Sequence, residues 1–108
     1  MSKAIFLSTF KKQYAQREFN PQETVQWLRA PINVFMCWGV SKMVNLENKG
    51  LLMSVNGLKH KGFVLITLAW NDTYTLRYFN TKYNETLEIN EDVYCDVLQD
   101  IIDGKIEQ

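Results

Sequence analysis

The feature that most constrains this fold is a pair of segments typical of β-strands, residues 63–69 and 73–79, separated by three residues. Two such strands form a hairpin, and an antiparallel sheet that buries one face requires their apolar side chains to be grouped on that face. A two-residue loop would mix polar and apolar side chains on both faces, so we expect a three-residue loop. That register places six apolar side chains on one face: Val64, Ile66, Leu68, Tyr74, Leu76 and Tyr78. Leu65 is then an exposed exception on the opposite face.

The carboxy-terminal residues predict an amphipathic helix over about 90–104. Its apolar side chains recur three and four residues apart: Val93, Tyr94, Val97, Leu98, Ile101 and Ile102. Asn90 is placed to cap the first turn, and Gly104 is placed to end the helix. The apolar helix stripe and the apolar hairpin face each need covering, so we expect the helix to pack on the hairpin.

Shorter patterns predict the remaining elements. Two helices are expected at 4–18 and 21–29, the second with Asn20 as its cap and Pro21 in its first position. Besides the hairpin, extended segments are expected at 33–38, 40–46, 51–55 and 85–89.

Together these elements predict an α+β fold. It has a small antiparallel sheet of about five strands, a carboxy-terminal helix packed on one face, and one or two amino-terminal helices. The chain of 108 residues is expected to form a single domain, with a helical extension at 1–20 and an α+β body at 21–104. Hydrophobic residues make up 46% and charged residues 22%, which excludes a disordered chain.

Cysteine usage and the first residues point to a cytoplasmic protein. Cys37 and Cys95 lie too far apart for a zinc or redox motif, and both sit among apolar residues. We therefore expect buried, reduced thiols. The apolar stretch near the amino terminus is too short for a signal peptide, and no run is long enough to span a membrane.

The sequence contains none of the motifs that mark the common catalytic sites. His60 is the only histidine, and its two lysine neighbours predict a solvated side chain. Phosphate-binding glycine loops and nucleophile motifs are absent from the sequence. We therefore expect no catalytic, metal or cofactor site and no small-molecule substrate, which argues against an enzyme.

Charge suggests an alternative, nucleic-acid binding. Residues 1–61 carry a net charge of +6 and residues 62–108 carry −6, so the chain as a whole is neutral. Five basic residues are the candidate nucleic-acid contacts: Lys11, Lys12, Arg17, Lys59 and Lys61. The competing interpretation leaves the lysines solvated, while the aromatic residues beside them anchor the first helix.

Aromatic residues favour a protein-binding module. They make up 13% of the chain, and a sheet covered on one face offers its other face or an edge strand to a partner. Phe6, Phe10 and Tyr14 form the candidate partner surface. The first helix that carries them would either cover the second sheet face or dock on another chain, either a second copy or a host or phage protein.

The sequence resembles a group of small proteins carried by phages, prophages and other mobile elements. The similarity covers about residues 22–103 and is carried by segments 25–28, 35–39, 52–55, 64–68, 72–78 and 93–99. Its most specific parts are Asp72-Thr73-Tyr74 and the pattern of Val93, Tyr94, Asp96 and Leu98. The resemblance implies a helix, a small antiparallel sheet and a packed final helix. It also implies an accessory protein that acts by contact, and it supplies no catalytic residue.

Overall fold

The computed structural model describes residues 3–107 and has the predicted α+β fold. Its helices are α1 (Lys3–Thr9), α2 (Pro21–Leu28), α3 (Ile32–Met36) and α4 (Leu98–Ile106). A π-helical segment, Phe10–Tyr14, continues α1, and a short 3-10 turn, Cys95–Val97, precedes α4. The strands are β1 (Lys42–Asn45), β2 (Leu51–Asn56), β3 (Lys61–Leu68), β4 (Tyr74–Phe79) and β5 (Asn90–Val93). They form one antiparallel sheet in chain order, with β1 and β5 at its edges.

The central hairpin has the predicted register. Val64 pairs with Tyr78 and Leu68 pairs with Tyr74. In this register residues 70–72 form the expected three-residue loop between segments 63–69 and 73–79. Asp72, in that loop, has a φ of 65°, a conformation that short polar side chains tolerate better than most. The observed register therefore matches the one expected from grouping the six apolar side chains on one face.

One face of the sheet, the α4 face, carries the larger core. Side chains from β2, β3 and β4 pack there against α2 and α4, and the fully buried members include Leu28, Trp38, Met53, Val64, Ile66, Leu76, Tyr78, Leu98, Ile102 and Ile106. The predicted packing of the last helix on the hairpin is confirmed.

Polar contacts fix the helices on this face. The buried hydroxyls of Thr24 and Tyr74 are hydrogen-bonded at 2.9 Å. The Gln99 amide donates to the carbonyl oxygens of Leu28 and Pro31 at 2.9 and 2.8 Å. These bonds join α2 to the sheet and α4 to the end of α2, where helix carbonyls otherwise lack partners.

The β2–β3 turn closes the end of α4. The Lys59 amide donates to the carbonyl oxygen of Ile106 at 2.7 Å, although the two residues are far apart in sequence. Gly57 packs so closely against the same carbonyl that a side chain there would collide with it. The last turn of the helix is therefore capped by a loop that precedes it by more than 40 residues.

The other face, the α1 face, is covered by α1 and its π-helical extension. Phe6 and Phe10 are buried there against Leu52, Leu65 and Phe79. The exposure predicted for Leu65 was wrong, because the first helix covers the face that the hairpin alone would leave in water. The Phe10 ring also packs directly on Gly50, where a Cβ atom would collide with it.

Two predicted elements at 33–38 and 85–89 are wrong. Residues 32–36 form the short helix α3, and an apolar run of this length does not distinguish a buried strand from a helix. Residues 85–89 lie outside the strands, apart from a single bridge between Phe79 and Glu85. The fifth strand, β5, begins later, at Asn90.

The carboxy-terminal helix starts later than predicted. Asn90 is not its cap but the first residue of β5, and α4 begins only at Leu98. Gly104 lies inside α4 rather than after it. Apolar residues recur three and four apart across 93–98, yet this segment contains the end of β5 and a 3-10 turn. Pairing of β5 with β4 overrides the helical pattern.

The first helix is shorter than the predicted span of 4–18. Its π-helical segment ends at Tyr14, and Arg17 instead forms a bridge with Leu68 of β3. The second helix has the predicted start, since the Asn20 side chain accepts a hydrogen bond from the Gln22 amide. Among residues 3–107, no helix has the length and apolar character needed to cross a membrane.

Candidate protein-docking groove

A groove of about 590 Å³ lies on the α1 face of the sheet, beside α1 and the edge strand β1. Its wall and floor are formed by Lys3, Phe6, Leu7, Ser41, Lys42, Val44, Leu46, Leu52, Ser54, Phe63 and Tyr83. The volume falls in the range of ligand-binding clefts, and most of the lining side chains are apolar. We call this feature the β1 groove.

The alternation of side chains along β1 and β2 determines which residues form the floor of the β1 groove. Lys42 is paired with Ser54 and Val44 with Leu52, so all four side chains share the α1 face. Lys3 and Leu7 are four residues apart on α1 and therefore lie on the same side of that helix. One strand edge and one helix side thus define the two long walls.

Three aromatic rings that line the β1 groove, Phe6, Phe63 and Tyr83, contact one another. The Phe63 and Tyr83 rings are nearly parallel, with centroids 4.8 Å apart and an interplanar angle of 9°. The centroids of Tyr83 and Phe6 are 5.0 Å apart. Because aromatic contacts of this kind have defined geometry, we expect this part of the lining to keep its shape when the groove is filled.

The β1 groove carries the positive charges of Lys3 and Lys42. Among residues 3–107, those that line it include no aspartate or glutamate. Across residues 3–107, neither lysine has a carboxylate within 4 Å, whereas Lys11, just outside the groove, lies 3.8 Å from Glu47. The charges of the two groove lysines are therefore available to an anionic group on a bound molecule.

The edge strand β1 is much less buried than β2, the strand next to it. Lys42, Val44 and Asn45 are exposed and Met43 is half-buried, whereas four of the six β2 residues are buried. Val44 exposes 41% of its surface, a large fraction for an aliphatic residue in a strand. Exposed edge strands are the usual sites at which sheets accept another chain.

The predicted partner surface at Phe6, Phe10 and Tyr14 is occupied by the chain itself. Phe6 and Phe10 retain 0% and 3% exposure, and Tyr14 is half-buried. The Arg77 guanidinium lies 4.5 Å from the centroid of the Tyr14 ring. Burial, and then the nearby Glu85 carboxylate, raise the pKa of the Tyr14 phenol. Only Phe6 of the three lines the β1 groove.

The predicted nucleic-acid contacts do not form one surface. The side chains of Lys11 and Arg17 lie near the β1–β2 and β3–β4 turns, where they pair with Glu47 and Asp72. Lys59 and Lys61 lie at the β2–β3 turn, at the opposite end of the sheet. Six residues of β2 separate the two ends, a distance of about 20 Å. Lys12 is exposed on the π-helical segment with Lys11.

His60 is buried rather than solvated. Only 6% of its surface is exposed, and its ring meets the edge of Tyr78 with centroids 6.0 Å apart. Its Nε2 atom lies 3.3 Å from the Phe63 carbonyl oxygen. The side chain fills the β2–β3 turn, while its neighbours Lys59 and Lys61 are exposed. The residues around His60 in the sequence could not predict its burial, because the Tyr78 ring that packs against it comes from β4.

Neither cysteine is fully buried. Cys37 is exposed, Cys95 is half-buried and both are free thiols. The predicted burial was wrong for Cys37, because residues 32–36 form a surface helix instead of a central strand. Within the described part of the chain, His, Cys, Asp and Glu side chains do not come together in threes around a potential metal position.

Sequence reasoning missed the β1 groove because its lining comes from five separate segments. Each segment has an ordinary local pattern, such as the alternation of Lys42 and Val44. The single available signal was the unassigned role of the first helix, which is amphipathic and lies next to a sheet with two faces to cover.

Comparisons of the chain with protein-family models, with curated proteins and with solved structures found no match. The resemblance to phage and mobile-element proteins therefore stays a prediction.

Proposed function

We propose that this chain is a non-enzymatic accessory protein that binds another protein through the β1 groove. The observation that supports the proposal is the combination of a largely apolar groove with an exposed edge strand beside it. Proteins commonly recognise extended segments by combining strand pairing with pockets for alternate side chains. The described residues that line the groove include no aspartate, glutamate, histidine or cysteine, so they are better suited to contact than to acid–base chemistry.

A cytoplasmic setting fits this proposal. Cys37 and Cys95 are both free thiols, and Cys37 is exposed to solvent. Exposed thiols persist most readily in reducing compartments. The nucleic-acid alternative gains no support from the geometry, because the basic residues that it requires lie at opposite ends of the sheet.

Site-specific photo-crosslinking tests the proposal. Benzoylphenylalanine would replace Val44 in the groove or, as a control, Trp27 on α2. These positions have matched exposures of 41% and 44% but lie on opposite sides of the sheet. After irradiation in the cells from which the gene comes, we expect a nuclease-resistant adduct with one defined protein from position 44 and none from position 27. Equal adducts from both positions, or adducts removed by nuclease, would contradict the proposal.

Binding of the purified partner completes the test. The protein identified in the adduct should bind the wild-type chain and should bind the Val44→Asp variant at least 10-fold more weakly. The Trp27→Asp variant carries the same new charge outside the groove and should bind as the wild type does. An unchanged affinity for Val44→Asp would remove the groove as the binding site.

A further inference from the structure

The hydrogen-bond pattern of β1 shows which of its peptide groups face outward. The Leu46 amide donates to the Gly50 carbonyl oxygen at 2.8 Å, which makes these two residues a hydrogen-bonded pair. Such pairs alternate along an antiparallel ladder, so Val44 and Leu52 form the next one. The peptide groups of Met43 and Asn45 then point away from β2, towards the edge of the described sheet.

The side chains of β1 alternate in step with this pattern. Lys42 and Val44 face the β1 groove, whereas Met43 packs towards the core of the α4 face. A strand added at this edge would point every second side chain into the groove. Its positions opposite Lys42 and Val44 would therefore be two residues apart.

The chemistry of these two positions differs. Lys42, together with Lys3 across the groove, presents positive charge without a carboxylate partner among residues 3–107. Val44 is continuous with the apolar side chains of Leu46 and Leu52. Opposite-charge pairs and apolar pairs across neighbouring strands each stabilise a sheet, while like charges opposite each other destabilise it.

We propose that β1 accepts an extended segment of a partner protein as a sixth strand. The segment carries an aspartate or glutamate two residues from a large apolar residue, with the carboxylate facing Lys42 and the apolar side chain facing Val44. This inference rests on the proposed function, and it adds the binding mode and the chemistry of the partner. The order of the two residues along the segment reports whether it runs parallel or antiparallel to β1.

Selection from a random dodecapeptide display library tests the predicted chemistry. The wild-type chain should enrich peptides with an acidic residue two positions from a leucine, isoleucine, valine or phenylalanine. The Lys42→Glu variant should enrich lysine or arginine at the acidic position. The Lys12→Glu variant, which makes the same charge change at an exposed residue outside the groove, should select the wild-type motif. Enrichment without this spacing, an unchanged motif with Lys42→Glu, or no enrichment would overturn the proposal.

Two substitutions at Asn45 test strand addition itself. Asn45→Pro removes the outward amide, and Asn45→Ala keeps that amide while removing the same side-chain hydrogen bonds to Asn48. By calorimetry, the selected peptide should bind Asn45→Ala within about 3-fold of wild type and Asn45→Pro at least 10-fold more weakly. Circular dichroism checks that both variants are folded. Equal affinity for the two folded variants would overturn the proposal.

The outcomes separate the two proposals. A protein adduct at position 44 without an enriched peptide motif would overturn strand addition and leave the protein-binding module in place. Self-association that Asn45→Pro abolishes, without peptide enrichment, would assign the edge to a second copy of this chain and would also overturn the present inference. Failure of both crosslinking and selection would remove the module as well.

Discussion

The two faces of the sheet are covered in different ways. The α4 face is packed by α2 and α4, and its fully buried residues form one continuous core. The α1 face is covered by α1 and its π-helical extension around five buried residues, of which three are phenylalanines. Beside this smaller cluster the β1 groove remains. The difference predicts that the α4 face provides most of the stability, while the α1 face holds the groove through which we propose that a partner binds.

The largest expected effect tests the α4 face. Ile102 is fully buried between α4 and the sheet, so Ile102→Ala should lower the free energy of unfolding by about 2–5 kcal/mol. Chemical denaturation measures this change. Leu58→Ala, at a residue that is 83% exposed, is the control and should change stability by less than about 0.5 kcal/mol. Similar losses for both variants would contradict the assignment of the core.

A smaller effect should appear at alkaline pH. Burial raises the pKa of Tyr78 on the α4 face above that of an unfolded tyrosine, so its neutral form is favoured in the folded chain. This contribution to stability is complete below pH 10 and is lost as the pH rises above it, at about 1.4 kcal/mol per pH unit. Denaturation between pH 9 and 11 should show a weaker pH dependence for Tyr78→Phe. An unchanged slope would refute the assignment of a raised pKa to Tyr78. The Tyr14→Phe variant extends the same measurement to the α1 face, where the pKa of the Tyr14 phenol is also raised.

The smallest effect concerns the α1 face alone. The stacking of Arg77 on Tyr14, at 4.5 Å, should contribute about 1 kcal/mol of coupling energy. A double-mutant cycle with Arg77→Met and Tyr14→Leu measures it by denaturation. A coupling energy of zero would mean that the π-helical segment is held by apolar packing alone, which would sharpen the contrast between the faces.

The sequence predicted the parts of the fold that depend on neighbouring residues. Alternation within 63–79 determined the hairpin register, and Asn20 with Pro21 determined the start of α2. Both signals are local and strong. The packing of the last helix on the sheet followed because two apolar surfaces had to be covered.

The errors occur where distant segments decide the local structure. Residues 90–93 carry a helical pattern but pair with β4, and residues 32–36 carry a strand-like pattern but form α3. The β1 groove could not be predicted for the same reason, since α1 and β1 come together only through the sheet between them. Aromatic usage predicted a partner surface at Phe6, Phe10 and Tyr14, but Phe6 and Phe10 are buried, and of the three only Phe6 lines the β1 groove.

The hydrogen bond from the Lys59 amide to the Ile106 carbonyl oxygen couples the opening of the β2–β3 turn to the fraying of the last turn of α4. Because the Lys59 amide caps the last turn of α4, this turn cannot fray without exposing that amide to solvent. Hydrogen exchange at this single position should therefore be as slow as exchange within α4 and should accelerate whenever the helix detaches. The exchange rate of the Lys59 amide therefore shows whether the last turn of α4 remains bound to the β2–β3 turn.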